Sequence, residues 1–219
     1  VRDVREAMGP VSAAFYGRPA AGMTVVGVTG TNGKTTTTYL LESVFRADGR
    51  TPGIIGTTGI RIDGRPEPFP RTTTEAPDLQ RVLATMADEG VDALAMEVSS
   101  HGLQQHRVDG VRYSVAVFTN LSQDHLDYHA SMEEYFAAKA RLFTPAMSDR
   151  AVVNLDDDAG RRLAGSGLPT ITYGLAVDAE IRATQVGSSP EGVAFLADGV
   201  PIRSPLRGSF NVENCLAAF

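Results

Sequence analysis

Val25-Val-Gly-Val-Thr-Gly-Thr-Asn-Gly-Lys34-Thr35-Thr36-Thr37-Thr38 is the stretch whose reading decides the fold. Met23 to Val28 is a run of β-formers, Gly27, Gly30 and Gly33 punctuate the stretch, and a helical apolar pattern then runs through Tyr39, Leu40, Leu41, Val44 and Phe45. A strand, a Gly-rich loop and a helix in that order make a phosphate cradle. Glycines let the backbone turn tightly and bring its N–H groups to an anion. The helix N-terminus adds partial positive charge, Lys34 adds a full one, and the Thr35 hydroxyl is spaced to ligate Mg²⁺. The generic phosphate loop has a glycine where Val28 stands, so the spacing departs from that rule. The alternative at this point is a Gly-rich turn with no chemical role.

Working outward, the helix after the loop closes near Asp48-Gly49, with glycine in the C′ position. Before the loop, Val4, Met8, Val11 and Phe15 set a helical pattern, and Tyr16 to Gly22 reads as a loop. After it, Pro52 to Ile62 reads as strand, Asp63-Gly64 as a hairpin turn, and Pro66, Pro68 and Pro70 as an extended loop ending in Arg71-Thr72-Thr73-Thr74-Glu75. Asp78 to Glu89 is helical, and Val91–Val98 and Tyr113–Thr119 are short apolar runs of the kind buried on both faces of a parallel sheet. Ser99 to Arg107, between them, reads as a polar loop. Ser131 to Phe143 reads as a helix with Ser131 and Glu134 forming a capping box. Arg150–Leu155, a helix near 157–164 and Pro169–Tyr173 continue the alternation, and shorter β pieces come after Glu180.

This order predicts an α/β fold: an open, mainly parallel, doubly wound sheet with helices on both faces and a small, mostly antiparallel subsheet near the C-terminal end. Ligands of such sheets sit beyond the C-terminal ends of the strands. Residues 23–219 read as the central nucleotide-binding domain, and 1–22 as a linker with a helix remnant. The chain reads as the middle part of a longer protein, its last helix short, with Asn211 as N-cap and little to pack against.

Composition narrows the function. Among 219 residues, 42% are hydrophobic, and 20 Lys and Arg against 26 Asp and Glu leave a formal charge of −6. No basic block stands out, so neither a nucleic acid nor an anionic membrane is an expected partner. Cys215, the single cysteine, excludes an internal disulfide and a cysteine zinc cage. No apolar run approaches the length of a membrane span, and a cytoplasmic location fits.

The loop Gly30-Thr-Asn-Gly-Lys-Thr-Thr36 resembles that of the Mur ligase superfamily. Four further blocks in order are similar to the branch that adds the third residue of the peptidoglycan stem peptide: Glu97-Val-Ser-Ser-His-Gly-Leu-Gln-Gln-His-Arg107, Phe118-Thr-Asn-Leu-Ser-Gln-Asp-His-Leu-Asp-Tyr-His129, Tyr135-Phe-Ala-Ala-Lys-Ala-Arg141 and Gly208-Ser-Phe-Asn-Val-Glu-Asn-Cys-Leu-Ala-Ala218. The resemblance implies an ATP-dependent amide-forming ligase acting on UDP-N-acetylmuramoyl-L-Ala-D-Glu and diaminopimelate or lysine through an acyl phosphate. It implies that Gly30, Thr31, Asn32, Gly33, Lys34, Thr35 and Thr36 hold ATP, with Asn211 and Asn214 on the adenine side. Thr35, Glu97 and His125 are then residues of a site for two Mg²⁺ ions, and Thr72, Thr73, Ser99, Gln105 and Arg107 hold the muramoyl-dipeptide. Where the family commonly has Thr-Thr-Pro-Glu, this chain has Thr72-Thr73-Thr74-Glu75, which loosens the loop and keeps both hydroxyls. In this family an N-terminal domain binds UDP and a C-terminal domain chooses the amino acid. The chain is therefore expected to bind ATP without ligating on its own.

Lys139 has two readings. By residue chemistry it is a lysine snorkelling from an apolar helix face to solvent. By resemblance it is carbamylated by CO₂, turning a cation into an oxygen ligand for the second Mg²⁺. His101 and His106 are expected to hydrogen-bond within their loop and His129 near its helix start. His125 and His129 lack a surrounding His-Glu-x-x-His, which argues against a catalytic zinc, and Asp156-Asp157-Asp158 reads as a charge cluster facing water. A folylpolyglutamate-synthetase-like ligase shares the nucleotide loop but not the Glu97-Val-Ser-Ser-His-Gly-Leu block. A nucleotide-binding switch is the alternative outside ligases, although no Asn-Lys-x-Asp guanine signature occurs.

Overall fold

The computed structural model describes residues 3–67, 74–123 and 128–219. The first helix, α1 (Val4–Phe15), is capped by Asp3, whose carboxylate accepts from Arg5 N at 2.7 Å. Strand β1 (Thr24–Thr29) leads through the glycine loop into α2 (Lys34–Ala47). The stretch read as one strand from Pro52 to Ile62 is two, β2 (Pro52–Gly56) and β3 (Gly59–Ile62), folded on each other at Thr57-Thr58. Asp63-Gly64 is the expected hairpin turn into β4 (Arg65–Glu67): Ile62 pairs with Arg65, and both turn residues have positive φ, 46° and 78°.

Helix α3 (Ala76–Asp88) and strand β5 (Ala93–Glu97) follow. The segment read as a polar loop contains a short helix, α4 (Ser100–Gln104), because the Ser99 hydroxyl caps it by accepting from Gly102 N at 3.0 Å. Strand β6 (Tyr113–Phe118) and helix α5 (Met132–Ala140) come next, and the helix is extended to Phe143 by a 3₁₀ turn. Its capping box is present: Ser131 Oγ accepts from Glu134 N at 3.2 Å and the Glu134 carboxylate from Ala130 N at 3.0 Å. The chain finishes with β7 (Ser148–Asn154), α6 (Asp158–Leu163), β8 (Thr170–Gly174), β9 (Ile181–Ser189), β10 (Gly192–Ala197), β11 (Val200–Ser204) and α7 (Phe210–Ala218).

Among the described residues the strands form one sheet of order β11-β10-β9-β8-β7-β6-β1-β5-β2-β3-β4. From β2 to β9 neighbours run parallel, whereas β9-β10-β11 and β2-β3-β4 are antiparallel. The expected C-terminal subsheet is there, and the opposite edge carries a second antiparallel extension. Val26 and Val28 of β1 belong to one core cluster with Leu41 and Phe45 of α2 and Val212 and Leu216 of α7; Val25 belongs to the other, which holds Leu79 and Leu83 of α3 and Leu163 of α6. The sheet is thus covered on both faces. Helix α7 does not lack packing: Val212, Leu216 and Ala217 are 5% exposed or less. It begins at Phe210 with Ser209 in the cap position, so Asn211 is inside the helix rather than capping it. Helix α1 packs on α3, and at Gly9 it comes so close to the 109–110 turn that a Cβ there would lie 1.9 Å from Asp109 O.

Gly27 belongs to the middle of β1, not to the loop. A Cβ at this position would meet the buried Tyr113 ring at 2.6 and 2.8 Å. Gly27→Ala should therefore destabilise the domain by about 1–3 kcal/mol, the usual cost of overpacking a filled core, with the protein still folded. Urea denaturation of the purified variant checks this, and a midpoint equal to wild type would refute the packing role.

Candidate nucleotide site

β1 and β5 deliver the site's two best-defined features to the same end of the sheet, since both strands run parallel and finish side by side, Val28 opposite Glu97. Beyond β1 the chain turns through Gly30 (φ 150°) and Gly33 (φ 86°). A Cβ on Gly30 would fall 1.9 Å from Thr119 Oγ1, and one on Gly33 2.3 Å from Asn214 Oδ1, so both places need glycine for space. The loop is pinned from β6: Thr31 N donates to Asn120 O at 2.8 Å, Asn32 N to Asn120 Oδ1 at 2.9 Å, and Thr119 Oγ1 to Asn32 O at 2.6 Å. The first bond of α2 is Thr37 N to Gly33 O at 2.9 Å. The amides from Gly33 to Thr36 therefore point out of the helix N-terminus, where they and the helix dipole attract an anion.

Thr35 Oγ1 donates to Glu97 Oε1 at 2.9 Å. The same carboxylate accepts from Thr57 N at 3.1 Å and from Thr57 Oγ1 at 3.2 Å. Adjacent oxygens on an octahedral Mg²⁺ lie roughly 2.9 Å apart, given metal–oxygen bonds of about 2.0–2.1 Å. A hydroxyl and a carboxylate at this separation fit two positions of such an ion. Lys34 Nζ folds back to Gly30 O at 2.9 Å and Thr31 O at 2.8 Å. Lys139 Nζ donates to the same Gly30 carbonyl, also at 2.9 Å, and lies 4.4 Å from the centre of the Tyr135 ring. Lys139 is 1% exposed. It does not snorkel to solvent; α5 aims it at the phosphate loop.

On the other side of the loop is a cavity of ≈ 410 Å³, lined by Asn32, Gly33, Tyr173, Phe210, Glu213 and Asn214 among others. Asn214 Nδ2 donates to Asn211 Oδ1 at 2.9 Å and Asn211 Nδ2 to Arg207 O at 2.7 Å, so this pair braces the start of α7. A cavity of ≈ 450 Å³ between β9 and β11 is of similar size but far from the glycine loop in the sheet order.

The residues expected to hold a second substrate are brought together in part. Ser99 and Arg107 line a small cleft with Lys34, Thr57, Thr74 and Glu97. Arg107 Nε lies 3.2 Å from Glu75 Oε1, an ion pair without hydrogen-bond alignment, and Arg5 of α1 reaches the same carboxylate at 3.4 Å. Gln105 Nε2 instead donates to Tyr128 OH at 2.9 Å. Thr72, Thr73 and His125 lie outside the described residues.

The other histidines range further than expected. His106 does bond locally, its Nδ1 lying 2.6 Å from Asp109 Oδ2, but Arg141 of the 3₁₀ turn also reaches it at 3.1 Å. His101 stacks on Tyr128 with centroids 3.9 Å apart, and buried His129 pairs with Ser100 Oγ on α4 at 3.0 Å. In the aspartate trio Asp156 and Asp158 are exposed, as expected, but two of the three also make hydrogen bonds. Asp157 caps α6 and accepts from Leu121 N at 2.8 Å, while Asp156 accepts from Leu175 N at 2.6 Å and Ala176 N at 2.8 Å. Thr57, Thr119, Asn120, Tyr173, Phe210 and Glu213 are site residues the sequence reading did not single out. Thr119 and Asn120 lie inside a quoted block, and Glu213 sits between the two asparagines.

Fold and site together define an α/β domain of the P-loop type, with a glycine loop and helix N-terminus arranged as a phosphate cradle. The Mur ligase middle domain model matches residues 28–219, and the chain belongs to that family. It is 46% identical, over 100% of its own length and 45% of the relative's, to the UDP-N-acetylmuramoyl-L-alanyl-D-glutamate--2,6-diaminopimelate ligase of Geobacter metallireducens. A solved structure of a ligase with that name superposes with a TM-score of 0.89 at 35% identity, covering 100% of this chain and 47% of the other. A Mycobacterium tuberculosis folylpolyglutamate synthase superposes at a TM-score of 0.81 with 19% identity, covering 99% of this chain and 57% of that one, a likeness of fold. The chain thus spans about 45% of the length of such curated relatives. Among the described residues, no helix is long and apolar enough to cross a membrane.

Burial pushes the Glu213 carboxyl above the ordinary carboxylate range; the hydrogen bond from Asn154 opposes this, and the nearby Asp156 and Asp157 add to the upward push. A carboxyl whose pKa rises on folding adds stability at low pH and loses it as pH climbs through the raised value. Glu213→Gln should accordingly raise the melting temperature at pH 7, and the gain should shrink as pH falls towards 4. Thermal unfolding at the two pH values tests this, and a variant less stable than wild type at pH 7 would contradict it.

Proposed function

We propose that this domain is the ATP-binding part of an amide-forming ligase that joins diaminopimelate to UDP-N-acetylmuramoyl-L-Ala-D-Glu, a cytoplasmic step in peptidoglycan precursor synthesis. The observation that carries the reading is the Thr35 hydroxyl and Glu97 carboxylate 2.9 Å apart beside the open amides of α2, which suits a magnesium-bound triphosphate. The choice of diaminopimelate over lysine rests on the relatives' names. The folylpolyglutamate alternative has the shared fold and nucleotide loop in its favour, but not the Glu97-Val-Ser-Ser-His-Gly-Leu block. Because the relatives are about twice as long, the complete reaction is proposed for this domain working with further domains rather than alone.

In this reading the dipeptide carboxylate attacks the γ-phosphorus of ATP, the bond to the β-phosphate oxygen breaks, and ADP leaves. The amine of diaminopimelate then adds to the acyl phosphate carbonyl. Phosphate leaves and a proton is lost, giving the amide. Phosphoryl transfer needs alignment and charge neutralisation rather than a protein nucleophile. The loop from Gly30 to Thr36 cradles the phosphates, and Lys34 neutralises the oxygens that gain charge. Thr35 and Glu97, with His125, would hold Mg²⁺, which would supply charge neutralisation at the phosphates. Ser99, Gln105 and Arg107 orient the muramoyl-dipeptide with Thr72 and Thr73, and a freed Arg107 exchanges the Glu75 carboxylate for one of the substrate's. Asn211 and Asn214 serve the adenine side by fixing the start of α7.

Lys139 reacts with CO₂ in this reading: the neutral amine adds to carbon, one proton leaves, and a carbamate anion replaces the cation beside Gly30. Its oxygens suit a second Mg²⁺. Carbon-13 bicarbonate should give a carbamate NMR signal in the wild-type protein that is missing from Lys139→Ala. In a full-length ligase, the same substitution should abolish activity, with partial rescue by short carboxylic acids. An identical carbon-13 spectrum in the variant would remove Lys139 from this role.

Lys34→Ala should lower ligation by the full-length enzyme by about 10²–10³, the usual loss on removing one preorganised charge-stabilising group. The assay is phosphate release dependent on the muramoyl-dipeptide and diaminopimelate. Activity within tenfold of wild type would show that Lys34 is not at the reacting phosphate.

A further inference from the structure

A glutamate carboxylate turns broadly about its last torsion unless donors fix its plane. At Glu97 those donors come from the turn between β2 and β3. Thr57 N reaches Oε1 at 3.1 Å, and the Thr57 hydroxyl lies 3.2 Å from Oε1 and 3.4 Å from Oε2. The main chain at Gly56 closes another side, since a Cβ there would fall 2.3 Å from Oε1 and 2.9 Å from Cδ. Oε1 also accepts from Thr35 Oγ1, whereas Oε2 has only the longer contact with Thr57 among the described residues.

The turn is itself fastened to α2. Thr35, Tyr39, Glu42 and Arg46 follow one another at helical spacing. Thr35 Oγ1 lies 3.2 Å from Thr57 Oγ1, and Tyr39 OH lies 3.1 Å from Thr58 Oγ1. Further along the helix, Glu42, 4% exposed, pairs with Arg61 of β3 at 3.4 Å, and Arg46 lies 3.7 Å from Asp63. The β2–β3 hairpin is thus laced, residue by residue, to the helix whose first turn carries Thr35.

Resting on the nucleotide reading above, we infer that Thr57 is a positioning residue for the cation site: it holds Glu97 Oε1 so that the carboxylate keeps one orientation beside Thr35, and the seam along α2 sets where Thr57 stands. Thr57 acts through Glu97 and leaves Oε2 as the more open oxygen. Thr35 and Glu97 reach the site from different elements, α2 and β5, and the turn between β2 and β3 is the piece that touches both. Tyr39 supports the turn from one helical turn further on, through Thr58. Hydrogen-bond partners of this kind orient metal ligands, and losing one typically costs about 10–100-fold in metal affinity.

Isothermal titration of the 219-residue chain with ADP, once in Mg²⁺ and once in a chelator, separates the cation from the rest of the nucleotide. Wild type should bind MgADP at least about tenfold more tightly than ADP alone. Thr57→Val removes the hydroxyl and keeps the shape; it should bring the two affinities within about threefold while metal-free ADP binds as in wild type. Thr57→Ser keeps the hydroxyl and should restore the wild-type ratio. Tyr39→Phe should lower the ratio in the same direction by a smaller factor. A wild-type ratio in Thr57→Val, or an equal loss for ADP with and without Mg²⁺, would overturn the assignment of Thr57 while leaving the nucleotide site intact. Equal wild-type affinities in the two conditions would remove the cation and the inference with it. Should wild type bind ADP in neither condition, the nucleotide reading itself fails. If Thr57→Val does not fold, Tyr39→Phe decides, and an unchanged ratio there overturns the inference.

Discussion

β1 is hydrogen-bonded along its length to β5 on one side and β6 on the other, and the geometry of the site depends on that double attachment. A strand so held has one position and one twist, so the loop beyond Thr29 leaves the sheet at a fixed point. The neighbours end in the groups that the loop needs. β5 ends in Glu97, and β6 continues into Thr119 and Asn120, which pin the carbonyl and amides of Asn32. Parallel order is what makes this possible, because it collects the C-terminal ends of all three strands on one edge. Sliding β5 by a residue would turn Glu97 to the opposite face of the sheet and away from Thr35.

Charge is sorted along the site rather than mixed. Two lysines converge on the Gly30 carbonyl, next to amides that lack helical partners. Across the loop, Glu213 of α7 lines the ≈ 410 Å³ cavity, with Asp156 and Asp157 near enough to act on its carboxyl. Each group is tolerated because it is anchored: Glu213 by Asn154, Asp157 by the α6 amides, Asp156 by the backbone after β8. Buried polar groups without such bonds are expensive. Satisfied, they make a rigid wall.

Helix α1 reaches the same site from a distance. It lies against α3 and the 109–110 turn, and its Arg5 shares Glu75 with Arg107. Arg107 is thereby linked to an element far away in sequence. Residues 1–22, read as a linker, are packed into the domain through Gly9 and Ala13.

The sequence by itself determined the alternation of strands and helices, the phosphate loop, the hairpin at Asp63-Gly64 and the caps at Ser131. These features are set by neighbours a few residues apart, through φ preferences, periodicity and local hydrogen bonds. It also marked Lys34, Thr35, Glu97 and Lys139, because their spacing within motifs is itself local information. Tertiary structure alone decided where those residues point. Lys139 sits on a helix whose pattern allows either a solvent-facing or a buried lysine, and only the packing of α5 against the loop turns Nζ to Gly30 O. Gly27 looks like one more loop glycine until Tyr113, on the neighbouring strand β6, fills the space a side chain would need. Asn211 reads as the cap of α7, yet the fold places Ser209 there and ties Asn211 Oδ1 to Asn214 Nδ2 inside the helix. Such choices depend on which groups meet across the sheet, and residue spacing along the chain carries no record of those distances.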